Sequence, residues 1–166
     1  MSYRWATPAD AGELARLNQQ LIRDGADFGP DDLEFLIRRM RDWLAHGGYR
    51  AVLFTDEAGN TVAYALFRDA AEEIYLAQFL VVRDARGHGI GQAAIALLRS
   101  EIWQQRKRLT LDVLIGNRAA LEFWHQLGWR DCALTLEIPP GAATAAAEAA
   151  TATATATAES LRSQAA

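Results

Sequence analysis

The chain has 166 residues, enough for one well-buried domain and too few for two ordinary ones. Apolar residues make up 51% and charged residues 23%, with a formal net charge of −4, so the composition is that of a globular protein without the basic surplus that polyanion binding needs. One cysteine, Cys132, excludes an intramolecular disulfide and a thiolate metal cluster, and His46, His88 and His125 lack ligand spacing, so neither metal nor nucleic acid is expected.

MSYRWATPAD at the start carries no apolar core of signal-peptide length, and no run reaches the ~18 apolar residues of a membrane span, so a cytoplasmic protein is expected. Tyr3 to Ala6 alternates as a short strand; Thr7-Pro8 then reads as a helix cap and first helical position, with Leu14, Leu17, Leu21 and Ile22 at helical spacing. Gly29-Pro30-Asp31-Asp32 opens a second helix, carrying Leu33, Leu36, Ile37, Met40, Trp43 and Leu44, and Gly47-Gly48 closes it. Tyr49 to Thr55 and Thr61 to Phe67 are apolar runs joined by the turn residues Asp56 to Asn60, which predicts a hairpin.

Ile74 to Val82 is the next predicted strand, Gly89 to Gln105 a helix, Leu109 to Ile115 a strand, Asn117 to Leu127 a helix and Trp129 to Ile138 a last strand. The order β-α-α-β-β-β-α-β-α-β predicts an α/β domain over residues 1–140, three-layered, with helices on both faces of a mixed sheet. From Gly141 the chain becomes an alanine and threonine tract, including Thr151 to Thr157; it buries too little apolar area to offset its ordering entropy and is expected to be a disordered tail over 141–166.

Between the third predicted strand of the central run and its helix lies Arg86-Gly87-His88-Gly89-Ile90-Gly91. The first N–H groups of a helix lack intrahelical acceptors and carry positive potential, and glycine lets a phosphate approach the main chain. Three phosphate loops compete. The dinucleotide pattern G-x-G-x-x-G fails at Gln92, and the P-loop pattern fails for want of a lysine at the helix start. The pattern F-x-V followed by R-x-x-G-x-G is matched from Phe79 to Gly91. A second block, Leu109-Thr110-Leu111-Asp112-Val113-Leu114 and then Asn117 to Trp129 with Phe123-Trp124 before Leu127-Gly128, follows at a set separation.

On these two blocks the chain resembles the GNAT superfamily of acyl-CoA-dependent N-acetyltransferases, over roughly Glu73 to Ile138. The resemblance implies a three-layer α/β/α fold whose mixed, mostly antiparallel sheet is splayed between the strands at Ile74 and Leu109, with acetyl-CoA as co-substrate in the gap. It implies main-chain contacts from Phe79, Leu80 and Val81 to pantetheine, and a pyrophosphate cradle from Arg86, Gly87, His88, Gly89, Ile90 and Gly91. Asn117 is both a strong helix cap and, by its place in the resemblance, a cofactor contact. Arg118 and the run Arg106-Lys107-Arg108 either meet the adenosine 3′-phosphate or form a solvated cluster.

Catalysis needs a base for the amine and an acid for the thiolate. Where the family often has a tyrosine acid this chain has Trp124, whose indole is no general acid at neutral pH, so Trp124 walls the thioester pocket. Glu73, or its neighbour Glu72, is the candidate base through water, Gln78 can orient a water, and His125 is expected at the surface. In the family the first two helices and their loop line the acceptor site, where Asp24, Asp27, Asp31, Asp32 and Glu34 either favour a cationic amine or serve as ordinary helix-start acids. Phe28 and Trp43 shape that pocket or fill the core. The resemblance thus implies acetyl transfer by direct attack from a primary amine of a small molecule or peptide, in a monomer or homodimer; the alternative is a catalytically weak acyl-CoA sensor.

Overall fold

The computed structural model describes residues 1–25, 29–103 and 107–137. It divides into a unit from Met1 to Trp129 and a second beginning at Arg130. Five strands form one sheet in sequence order: β1 (Ser2–Trp5), β2 (Tyr49–Thr55), β3 (Thr61–Asp69), β4 (Glu73–Val81) and β5 (Arg108–Leu111). The first four pair antiparallel, and β4 with β5 is parallel. Helices α1 (Ala11–Arg23) and α2 (Leu33–Ala45) precede the hairpin, α3 (Ile90–Leu97) joins β4 to β5, and α4 (Arg118–Gln126) follows β5. The three-layer mixed α/β expectation is met.

Two buried clusters show the layers. Leu14, Ala15 and Leu21 of α1 and Leu36 and Met40 of α2 cover Leu53, Tyr64, Leu66 and Leu80 on one face of the sheet. Ala94 and Ile95 of α3 and Trp124 of α4 cover Val52, Ala65, Phe67, Ile74 and Leu76 on the other. The helices begin where short-range chemistry places them. Asp32 caps α2 by accepting the Phe35 N–H at 2.7 Å, and Asn117 caps α4 by accepting the Ala120 N–H at 3.1 Å.

Four boundaries differ from the sequence pattern. The first helix enters through a 3₁₀ turn at Pro8–Asp10, with the Asp10 carboxylate accepting the Thr7 N–H at 2.7 Å. After Leu97, α3 continues as a π-helical turn over Leu98–Ile102, ended by the Trp103 N–H bonding Leu98 C=O at 2.7 Å; residues 104–106 lie outside the described residues. The strand expected over Leu109 to Ile115 stops at Leu111, because its parallel ladder with β4 ends at the Leu76 to Leu111 rung. The strand expected over Trp129 to Ile138 does not form between Trp129 and Glu137, where Leu134 and Leu136 are exposed. An alternating pattern supplies a face, but a strand also needs a neighbour for its main chain. Ile138 and the tail from Gly141 lie outside the described residues.

One irregularity in β4 governs the site. Gln78 pairs with Leu66 while Leu76 pairs with Phe67, so Ala77 is an extra residue and makes a β-bulge. Side chains change face across it. Ile74 and Leu76 before the bulge, and Phe79 and Val81 after it, pack toward α3 and α4, whereas Ala77 and Leu80 join the α1 and α2 cluster.

Candidate active site

The end of β4 is where the sheet opens. Beyond Leu76, β4 continues to Val81 without its parallel neighbour. The Val82 N–H bonds Val62 C=O at 2.9 Å, and since main-chain direction alternates along an antiparallel strand, Leu80 and Gln78 also turn their main-chain groups to β3. Phe79 and Val81 therefore turn theirs toward the gap. Leu80, expected as a third main-chain contact, turns its main chain toward β3 by the same parity.

The loop after β4 is held before any ligand arrives. A 3₁₀ turn at Arg83–Ala85 leads to Arg86, whose Nε donates to Val81 C=O at 2.8 Å and whose Nη2 donates to Asp24 at 2.5 Å. Arg83 pairs with the same carboxylate. Burial pushes the Asp24 carboxyl up, but the hydrogen bonds from Arg86 and Arg83 outweigh it and hold the group below the usual carboxylate range. Asp24 thus anchors the loop to the C-terminal end of α1.

Gly87 and Gly89 have φ of +77° and +76°, the left-handed region, and a Cβ at either would meet open space. Their glycines are required by conformation. Gly91 is required for a different reason: a Cβ there would stand 3.1 Å from the Phe123 ring, so α3 packs directly on α4. Gly89 is the N-cap of α3, and the main-chain donors of Ile90 and Gly91 lie in its unpaired first turn, with His88 exposed beside them. The arrangement offers glycine-backed N–H donors at one end of a gap lined by main chain.

On the α3 and α4 side the gap is walled by aromatics. Trp124 is buried, with ring centroids 5.6 Å from Phe79, 4.9 Å from Phe123 and 5.1 Å from Trp129. His125, the next residue, is exposed. On the α1 and α2 side, buried Gln78 accepts the Tyr64 hydroxyl at 3.1 Å, and buried Asn18 accepts Arg39 at 2.5 Å.

Several charged candidates are placed away from the roles their types suggested. Glu73 pairs with Arg108 at 3.5 Å on the first β4 to β5 rung, at the closed end of the gap, and Glu72 is exposed beside it. Lys107 pairs with Asp69 at 2.6 Å. Lys107 and Arg108 therefore lie at the opposite end of β4 from the glycine loop, while Arg106 lies outside the described residues and Arg118 is exposed at the start of α4. The acidic group near the α1 to α2 loop is also largely committed: Asp24 to two arginines, Asp31 to Arg23 at 2.9 Å and Asp32 to its cap. That leaves Glu34 exposed, while Asp27 and Phe28 lie outside the described residues. Trp43 stacks on Tyr49, with centroids 4.8 Å apart, and under Arg39.

Sequence reading passed over Asp112, at the first position beyond the last β4 to β5 rung, and Tyr75, whose hydroxyl donates to it at 2.8 Å. The signal was a carboxylate inside the apolar run LTLDVLI. Among the described residues, no group of three His, Cys, Asp or Glu side chains could hold a metal ion, and no helix is long and apolar enough to cross a membrane.

A β4 strand that bulges and parts from β5, followed by a glycine turn into a helix, defines an acyltransferase of the GNAT type. Residues 17–129 match the model of the acetyltransferase (GNAT) family, and the chain belongs to that family. No curated protein matches it by sequence. Among solved structures it is similar to a mutant of the BH1408 protein from Bacillus halodurans, at 26% identity over 84% of this chain and 99% of that one, with a TM-score of 0.67. It also resembles a ribosomal-protein-alanine N-acetyltransferase from Brucella melitensis biovar Abortus, at 20% identity over 82% and 97%, TM-score 0.64. A predicted acetyltransferase from Clostridium acetobutylicum, solved with acetyl-CoA, matches at 20% identity over 82% and 94%, TM-score 0.60.

Proposed function

We propose that this protein transfers an acetyl group from acetyl-CoA to a primary amine of a small molecule or peptide end by direct attack. The observation that carries the reading is the parting of β4 from β5 after Leu76, immediately before a loop with left-handed Gly87 and Gly89 at a helix start. The donors of the Arg86 to Gly91 loop take the pyrophosphate, and the Phe79 and Val81 main chain pairs with the pantetheine amides as a strand would. Asn117, whose Oδ1 caps α4, offers its side-chain amide to the same arm. The acetyl-CoA complex of the Clostridium protein supports the choice of ligand.

From Val82 back to the bulge at Ala77 is about 17 Å at roughly 3.3 Å per residue, a span suited to an extended pantetheine arm. The thioester then lies where the strands meet, above the Phe79 and Trp124 wall. There the neutral nitrogen attacks the carbonyl carbon, the C–N bond forms, the C–S bond breaks and sulfur takes a proton. Trp124 excludes water and shapes the pocket, with no acid function. Glu73, held by Arg108 and separated from Ala77 by about 13 Å of strand at roughly 3.3 Å per residue, stands too far from the thioester to take the amine proton itself.

Calorimetry with acetyl-CoA, followed by a panel of primary amines, tests the proposal. One-site binding at micromolar strength is expected, and Gly89→Asp should abolish it, because a side chain at φ +76° is strained and the added carboxylate repels the pyrophosphate. No heat with the unaltered protein sinks the reading, and binding without transfer to any amine favours a CoA sensor.

A further inference from the structure

The acyl end of the gap has two sides, and they differ in chemistry. Toward α3 and α4 it is closed by Phe79, Phe123 and Trp124. The rungs Tyr49 to Arg68, Arg68 to Tyr75 and Tyr75 to Thr110 put these residues on one face, and Tyr49 stacks on Trp43 of α2, so this is the α1 and α2 face. Asp112, two residues beyond Thr110, extends it past the last rung. Its carboxylate accepts the Tyr75 hydroxyl at 2.8 Å, it is exposed, and it makes no ion pair among the described residues.

We propose that Tyr75 and Asp112 seat the acceptor amine: the ammonium docks against the Asp112 carboxylate with the Tyr75 oxygen accepting one of its N–H groups, beside the thioester. The inference rests on the transferase reading above and adds the residues that receive the substrate. Asp31 and Asp24, the acids of the α1 to α2 region with cationic partners, are already neutralised, and Glu73 is held by Arg108. Asp112 is the carboxylate at the strand junction left to attract a cation.

The proton path is short. The ammonium passes one proton to the Tyr75 oxygen as the phenolic proton moves to Asp112, which releases it to solvent. The neutral amine attacks the carbonyl carbon, the C–N bond forms, the C–S bond breaks, and the departing thiolate takes the second proton of the nitrogen. Acetyl-CoA and RNH₃⁺ become the amide, free CoA and one proton. A neutral aliphatic ligand in place of the amine gains nothing from the carboxylate, so the site selects cationic acceptors.

Steady-state kinetics on the full chain, with the amine that turns over best, tests this through Asp112→Asn, Asp112→Glu, Tyr75→Phe and Glu73→Gln. Asp112→Asn should lower kcat/KM for the amine about 10²-fold, mostly through amine KM, and Tyr75→Phe should lower kcat about tenfold. Asp112→Glu should recover part of the loss, and Glu73→Gln should change little. The calorimetric Kd for acetyl-CoA and the melting temperature should stay unchanged in all four. Amine kinetics within about twofold of the unaltered protein in both Asp112→Asn and Tyr75→Phe overturn the inference. Loss of acetyl-CoA affinity in step with activity also overturns it, because the pair would then serve the cofactor. Failure of the unaltered protein to acetylate any amine overturns the transferase reading itself.

Discussion

The two halves of β4 teach different lessons. From Ala77 to Val81 the strand has lost its parallel neighbour, its alternate main-chain groups face a gap, and its following loop is shaped by glycines whose conformation no other residue adopts cheaply. From Glu73 to Leu76 it is paired on both sides, and its polar side chains are tied across rungs to Arg108 and Asp112. On the proposed reading the first stretch serves the cofactor through its main chain, and the second handles the acceptor through side chains. The two proposed roles would then occupy consecutive stretches of one strand, separated by a one-residue bulge.

The sharpest way to break this division is at Trp124, a side chain on the cofactor side at the position of the family's acid. Trp124→Tyr should raise kcat on an amine the enzyme already uses, since a placed general acid contributes about 10² to 10⁴-fold, while Trp124→Phe should reduce it modestly. Both shrink a buried aromatic and should lower the melting temperature, with a cost on the order of 1–3 kcal/mol. Profiles of kcat against pH for the three proteins decide the matter. If Trp124→Tyr is slower at every pH and Trp124→Phe is dead, the indole positions substrate and is no passive wall.

A smaller effect is expected at Asp24, where side chains hold a main-chain site in shape. Asp24→Asn leaves Arg83 and Arg86 without their charged partner, and the Kd for acetyl-CoA should rise about tenfold, as expected for an interaction of roughly 1.4 kcal/mol. The pH dependence has a definite sign. Because the Asp24 carboxyl is held below its ordinary value in the folded protein, its contribution is present at neutral pH and is lost as pH falls through that lowered value. Asp10 behaves alike, pulled down to about 2 by the Arg4 hydrogen bond above all, so the α1 anchorage to β1 also weakens only in strong acid. Acid titration of acetyl-CoA binding should show the Asp24 step in the unaltered protein and lack it in Asp24→Asn.

The smallest effect is expected from truncation after Gly141. The composition of the alanine and threonine tract, which offers no apolar periodicity, predicts unchanged melting temperature and acetyl-CoA binding. A fall of several degrees would show that the tail packs.

Much of the cofactor half was legible in the chain because its signals are local. Glycines at 87 and 89 announce left-handed turns, Asn117 announces a cap, and the apolar run of β4 announces a buried strand. The acceptor half was not, because its residues are distant in sequence: Asp112 meets Tyr75 across 37 positions, and Asp24 meets Arg86 across 62. The acids near the first loop fitted either a cation site or ordinary helix-start acids because composition counts charges without their partners, and Arg23, Arg83 and Arg86 answer them only in the folded chain.

By itself, then, the amino-acid order determined what depends on neighbours a few residues apart: helix starts at Asp32 and Asn117, the hairpin at Asp56 to Asn60, and the glycine loop, since periodicity, capping and φ preference act over one or two turns. Only the tertiary structure decided where the ladder between β4 and β5 ends, that Ala77 bulges, and that the alternating residues after Trp129 form no strand through Glu137. These depend on which main chain stands opposite, and hydrogen-bond partners in a sheet come from elsewhere in the chain. The candidate site lies where that pairing stops.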